Sequence, residues 1–272
     1  MTSSTLAKLT NQDFECLTVE RDETLLKITI DHPRSPLNAV DGLLHEELAR
    51  LFRELKRERS ARAVLLTGRG KAFSAGGDFD WFPSLDTVEK LDHLRRDAKQ
   101  MIWDLLDVEV PIVTAINGPA IGLGASIALL TDMIFMAEHA TLADPHVRVG
   151  IVAGDGGVAI WPAVLGPARA KQYLMTGDSM AAREAERLGL VNRVVPADEL
   201  EAEATAFAKR LAAGAPLAIQ YTKQAVNKLM KATLNIAFDT STALELLTLQ
   251  SQDHSEALAA IREKREPVFR GS

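Results

Sequence analysis

Twice along this chain an apolar run of strand length ends in a glycine-rich loop and is followed or preceded by a helical stripe, and that recurring unit restricts the fold more than any other feature. Residues 63–67 run into TGRGKAFSAGGD, and Ile112–Ile116 runs into NGPAIGLGAS, so each reads as a buried strand ending in a glycine loop. Between them, in the otherwise polar segment 87–108, Leu91, Leu94, Ala98, Met101, Ile102 and Leu105 keep helical spacing. The opening residues alternate apolar and polar over 14–20 and again over 24–31 around a charged turn, as a β-hairpin does. Residues 43–55 place Leu44, Leu48, Leu51, Phe52 and Leu55 on one helical face. Met133–Ala137, Thr141–Ala143 and 191–195 read as further strands, 168–175 and 181–188 as helices closed by Gly177 and Gly189, and everything from Asp198 onward as helix. The expectation is an α/β protein with stacked ββα units over residues 1–196 and a helical region over 197–272.

Composition sets the class. With 47% hydrophobic and 25% charged residues, the 272-residue chain can bury a large core. Its formal charge of −6, with no Lys/Arg run interleaved with aromatics, argues against a nucleic-acid partner. Cys16 is the single cysteine and cannot form an internal disulfide, which fits a reduced compartment. The first residues lack a basic stretch followed by an apolar one, and no apolar run reaches bilayer length; a cytoplasmic protein with no membrane partner is expected.

The two glycine loops carry the chemistry. Glycine exposes backbone N–H groups that a Cβ would shield, and a helix starting just after Gly122 presents N–H groups without intrahelical acceptors at its positive end. Two such loops aimed at one point suit a developing oxyanion, whereas one alone suits a turn. Phosphate motifs fail: GxxxxGK(S/T) is absent, and GLGASI lacks the third glycine of a dinucleotide loop. The stretch from Gly124 to Ala128 lacks the second glycine of a GxSxG elbow, so Ser126 is not read as a nucleophile.

The ordered pieces LNAVD at 37–41, KAFSAGGD at 71–78, PIVTAINGPAIGLGASIALLTDMIFMAEHATLADP at 111–145, GDGG at 154–157, MTGD at 175–178, LGLVNRVVP at 188–196 and the tail EALAAIREKREPVF resemble the enoyl-CoA hydratase/isomerase, or crotonase, family nearly end to end. The resemblance implies a spiral of ββα repeats with a C-terminal helical trimerisation region, assembled as a trimer or a dimer of trimers. It implies an acyl-CoA substrate, with coenzyme A entering as part of that substrate, and no metal. Residue by residue, the oxyanion-hole amides fall on Gly77 and Leu123. The backbone of Ala75 faces the adenine, Leu37 and Asn38 lie nearby, and Lys264 is a candidate for a CoA phosphate.

The chain departs from the family's pair of catalytic glutamates, whose positions match Ser126 and His146. A histidine can accept a proton near neutral pH and a serine cannot. Asp155, in GIVAGDGG, falls in the loop that the family places beside the acyl group and is the leading acid/base candidate, with His146 beside it and Asp144 able to orient the imidazole. Trp161, Trp81 and Phe82 are candidates for the acyl pocket, with core packing the alternative. Thioester-enolate chemistry of the hydratase/isomerase type ranks first. The stretch DPHVRVGIVAGDGG also resembles 6-oxocamphor hydrolase, a superfamily member that cleaves a cyclic diketone without CoA, so C–C hydrolysis is the alternative, and a non-catalytic acyl-CoA-binding relic the third reading.

Overall fold

A computed structural model describes residue 9 and residues 13–272. Strands β1 (Leu17–Asp22) and β2 (Leu25–Ile30) form the expected hairpin, with Leu17 opposite Ile30. From β2 the sheet continues in parallel through β3 (Ala63–Gly68) and β4 (Ile112–Ile116). Strands parallel to neighbours are covered on both faces, which is why these read as continuous apolar runs, and all five residues of β4 are buried. Strand β5 (Ala120–Ile121) leaves this sheet, while β6 (Met133–Ala137) rejoins it. A second small sheet joins β5, β7 (Thr141–Ala143) and β8 (Met180–Ala181), and β9 (Arg193–Val195) closes the large sheet in the order β1-β2-β3-β4-β6-β9. Pairing β5 with β7 sets the second glycine loop beside the segment Asp144-Pro145-His146.

Helix α1 (Gly42–Leu55) starts where the Asp41 carboxylate accepts the Leu44 N–H at 3.0 Å and buries Leu44, Leu48, Leu51 and Phe52, as its spacing requires. Thr87 caps α2 (Val88–Asp107) in the same way, and the two helices pack together. The short helix α3 (Leu123–Leu129) is wholly buried. Helix α4 (Gly157–Leu165), which the sequence reading did not anticipate because Gly156, Gly157 and Pro162 look like loop punctuation, precedes α5 (Pro167–Thr176) and α6 (Ala182–Leu188). The expected strand at 191–195 begins only at Arg193, because Gly189 ends α6 in the left-handed region and the chain turns before extending.

Helices α7 (Leu200–Ala212), α8 (Pro216–Leu249) and α9 (Gln252–Glu263) complete the chain. The first covers β3, β4 and β6; the second packs on α2 and α4; the third rests on the turn 146–149. Lys223 of α8 is buried and donates to the Val110 carbonyl at 2.9 Å and to Asp132 at 2.7 Å, which locks the long helix to the segments that lead into β4 and β6. Among the described residues, no helix is long and apolar enough to cross a membrane.

Candidate active site

The two glycine loops meet. Val40 N–H donates to Gly76 O at 2.7 Å and Asp78 N–H to Val40 O at 3.0 Å, so the amides on either side of Gly77 are used and its own N–H is turned to the opposite side. Ile121 N–H donates to Ser74 O at 3.0 Å, which ties the first loop to the second. Gly122 holds φ +53 and Leu123 follows as the first residue of α3, where an N–H has no intrahelical acceptor. Gly77 and Leu123 line one small cavity together with His146 and Asp155, so four of the sequence-derived catalytic positions converge.

His146 opens the turn after β7. Its Nδ1 is hydrogen-bonded to Asp144, which is buried. Its Nε2 lies 3.6 Å from Asp155 Oδ2 and 3.9 Å from Glu245 Oε1. Ser126 Oγ donates to Asp155 Oδ1 at 3.5 Å, which makes Ser126 a partner of the carboxylate. A Cβ on residue 157 would fall 1.9 Å from Asp144 Oδ2, so only glycine lets α4 start this close to the dyad.

Four titratable groups thus share one site. Burial pushes the His146 imidazole down, but the carboxylates of Asp144, Asp155 and Glu245 outweigh it and pull its pKa up to about 10. Burial raises Asp155 to about 6 against the opposing pull of His146. Burial, reinforced by the charge of Asp155, raises Glu245 to about 8. Near neutral pH this leaves an imidazolium, an ionised Asp155 and a protonated Glu245, a set that offers a base and an acid to one bound molecule. Asp144, His146 and Asp155 also place ligand atoms within 4.8 Å of one another, the spacing of a cation site, although Asp144 and Nδ1 are already spent on each other.

One carboxylate and one imidazole of the cavity escaped the sequence reading. Glu245 sits in α8 among leucines with no local motif. His45 lies in α1, is buried, lines the same cavity and has no hydrogen-bond partner for its ring among the described residues; burial lowers it to about 4, so it is neutral. The expected CoA contacts are dispersed. Ala75 lines an adjoining outer cavity, its N–H held by Leu37 O at 2.9 Å, and Leu37 is exposed. Lys264 is an exposed residue ending α9. Asn38 is buried and its amide is consumed internally, donating at 3.1 Å to the Arg69 and Ala72 carbonyls and accepting the His32 N–H at 3.1 Å. Trp81 and Phe82 line the inner cavity, whereas Trp161 is core, its ring tilted against that of Tyr173.

The profile of the enoyl-CoA hydratase/isomerase family matches residues 20–272. The chain belongs to that family. The probable enoyl-CoA hydratase echA8 of Mycobacterium tuberculosis is 33% identical over 256 residues, 94% of this chain and 98% of the relative. An enoyl-CoA hydratase/isomerase from Mycobacterium paratuberculosis superposes with a TM-score of 0.86 at 37% identity, over 91% of this chain and 99% of that one. A beta-diketone hydrolase from Anabaena sp. PCC 7120, solved bound to (S)-3-oxocyclohexyl acetic acid, superposes with a TM-score of 0.82 at 33% identity, over 88% of this chain and 95% of that one. This family member therefore has the crotonase α/β fold with its C-terminal helices and is enoyl-CoA hydratase-like in class, and an acyl-CoA substrate is consistent with that membership.

Proposed function

We propose that the protein cleaves a carbon–carbon bond by adding water to a β-dicarbonyl compound. The observation that carries this reading is the His146 imidazole, bound at Nδ1 by Asp144 and faced at Nε2 by Asp155 and Glu245, in one cavity with Gly77 and Leu123. One substrate carbonyl rests on the two amides. A water molecule gives a proton to the Asp155 carboxylate, which the His146 imidazolium faces, while its oxygen bonds to the second carbonyl carbon. The adduct collapses, the bond from that carbon to the central carbon breaks, and the electron pair moves into an enolate whose oxygen is held by the amides. Glu245, protonated, delivers a proton to the central carbon and recovers the one held by Asp155, leaving a carboxylic acid and a ketone. Each amide donor is worth about 3 kcal/mol at the transition state.

The keto acid in the Anabaena structure has the composition such a cleavage leaves, a ketone and a carboxyl group in one molecule. A second reading is hydration of an enoyl thioester, with coenzyme A as part of the substrate. It is favoured by the family and by the split between Asp155 at about 6 and Glu245 at about 8, which supplies a base for water and an acid for the adjacent carbon. A relic that only binds acyl-CoA has no need of that split.

Mass spectrometry in oxygen-18 water, with a bicyclic β-diketone beside a panel of enoyl-CoA and 3-hydroxyacyl-CoA thioesters, tests the choice. The expected result is a keto acid carrying one heavy oxygen. Turnover of thioesters alone would replace the proposal with the second reading, and binding without turnover of anything would leave the relic.

A further inference from the structure

The route to the amides is divided by one aromatic ring. An inner cavity of about 70 Å³ contains Leu123, Asp155 and Glu245. An outer cavity of about 240 Å³ contains Ala75, Gly76 and Ile121. Gly77, Phe82 and His146 line both. The Phe82 ring stands over Gly77 so closely that a Cβ there would fall 2.4 Å from Cζ. It is braced by Trp81, with ring centres 6.3 Å apart, by Phe79 at 6.2 Å and by the edge of His254 at 5.8 Å. His254 in turn is fixed by a 2.7 Å hydrogen bond from Nδ1 to Val149 O, so α9 holds the ring from behind.

Neither cavity alone reaches the roughly 300 Å³ at which small-molecule sites begin, and the two joined do. A ligand long enough to span both cavities must therefore displace the ring to reach the amides. What differs between substrates is whether the ring can return. A compact body passes it. An extended arm lying from the outer cavity to the amides keeps the ring out for as long as it is bound and forfeits its contacts with Gly77, Trp81 and His254.

We propose, resting on the β-dicarbonyl reading above, that Phe82 is the specificity-determining partition of this site, selecting compact free dicarbonyl compounds over those carried on a long thioester arm. The arm of a CoA thioester competes with the ring for one volume; a free diketone does not.

Titration calorimetry of acetoacetyl-CoA and of acetylacetone against the wild type, Phe82→Ala and Phe82→Leu tests this, with melting curves to verify the fold. Phe82→Ala is expected to bind acetoacetyl-CoA roughly tenfold or more tightly than the wild type, with Phe82→Leu between them. Acetylacetone affinity is expected to change by less than about threefold, since it gains nothing from the missing ring. If Phe82→Ala does not fold, Phe82→Leu decides by the same direction. Unchanged or weaker thioester binding in the folded variants overturns the partition. Binding is read without turnover, so the two ideas separate: a thioester gain with no diketone hydrolysis keeps the partition and ends the hydrolytic reading, while hydrolysis with no thioester gain does the reverse.

Discussion

His146 Nε2 stands 3.6 Å from Asp155 Oδ2, an ion-pair distance at which one water can serve both groups. Because Asp155 titrates at about 6 and Glu245 at about 8, the rate depends on pH in two directions. Asp155 must be ionised to help accept a proton, so kcat rises as pH climbs through about 6. Glu245 must be protonated to donate, so kcat falls as pH climbs through about 8. A bell with those limbs is expected, and Asp155→Asn is expected to lower kcat by at least about 100-fold. A flat profile, or wild-type turnover by Asp155→Asn, would remove Asp155 from the mechanism.

The Asp144–His146 contact fixes which imidazole nitrogen faces the cavity. An asparagine keeps the shape of Asp144 but can present an N–H to Nδ1, which favours the wrong tautomer and removes a charge that stabilises the imidazolium. Asp144→Asn is expected to reduce kcat on the order of 10³-fold with little change in KM. Nitrogen-15 NMR of the imidazole would show the change from the imidazolium to a neutral tautomer directly. A variant with an unaltered histidine signal and unaltered kcat would show that Asp144 only fills space.

The parts of this site legible in the sequence are those built by short-range signals. Gly77 and Leu123 lie in loops whose glycines announce exposed amides, and His146 and Asp155 flank a proline and a glycine pair. Glu245 carries no such mark: it reaches the cavity only because α8 packs across α4, a tertiary relation that spacing does not encode. His45 stands beside the apolar stripe of α1 with no local mark of its own, and it is buried beside Trp81, with ring centres 5.7 Å apart. Asn38 shows the converse. It looked available for a ligand, but φ +53 and three carbonyl acceptors in residues 69–73 make it the clasp between its own loop and the first glycine loop. Helix α4 went unseen because Gly156, Gly157 and Pro162 read as loop punctuation, whereas Gly157 is set by its close approach to Asp144 and not by helix propensity.

Glu245 also costs stability. Its folded pKa of about 8 lies above the ordinary 4.5, so the folded state binds more protons than the unfolded state between those values. Stability from this group therefore falls as pH rises from about 4.5 to about 8. Glu245→Gln keeps the volume and removes the titration. The variant is expected to be more stable than wild type at neutral pH by up to about 3 kcal/mol, with the difference shrinking toward zero near pH 4.5. Thermal melts across that window measure it. A variant less stable at neutral pH would mean that the carboxylate is held by favourable contacts that outweigh its burial.

Helix α8 carries large apolar side chains that no described residue covers: Leu229 is 74% exposed and Ile236 83%, with Leu217 and Tyr221 also exposed toward its start. A monomer rarely leaves such a row in water, and burying one leucine or isoleucine is worth about 2 kcal/mol. We propose that this face is where copies of the chain meet, in the trimer or dimer of trimers that the family resemblance implies. Replacing Leu229 and Ile236 by glutamate would put two charges into that contact in each subunit without disturbing the buried face of the helix, which carries Lys223, Leu234 and Phe238. Light scattering is expected to give a trimeric or hexameric mass for the wild type and a monomeric one for the double variant. The melting temperature of the variant should become independent of protein concentration. A wild type that is already monomeric, or a double variant that keeps its assembly, would place the contact elsewhere and leave the exposed row of α8 without a partner of its own kind.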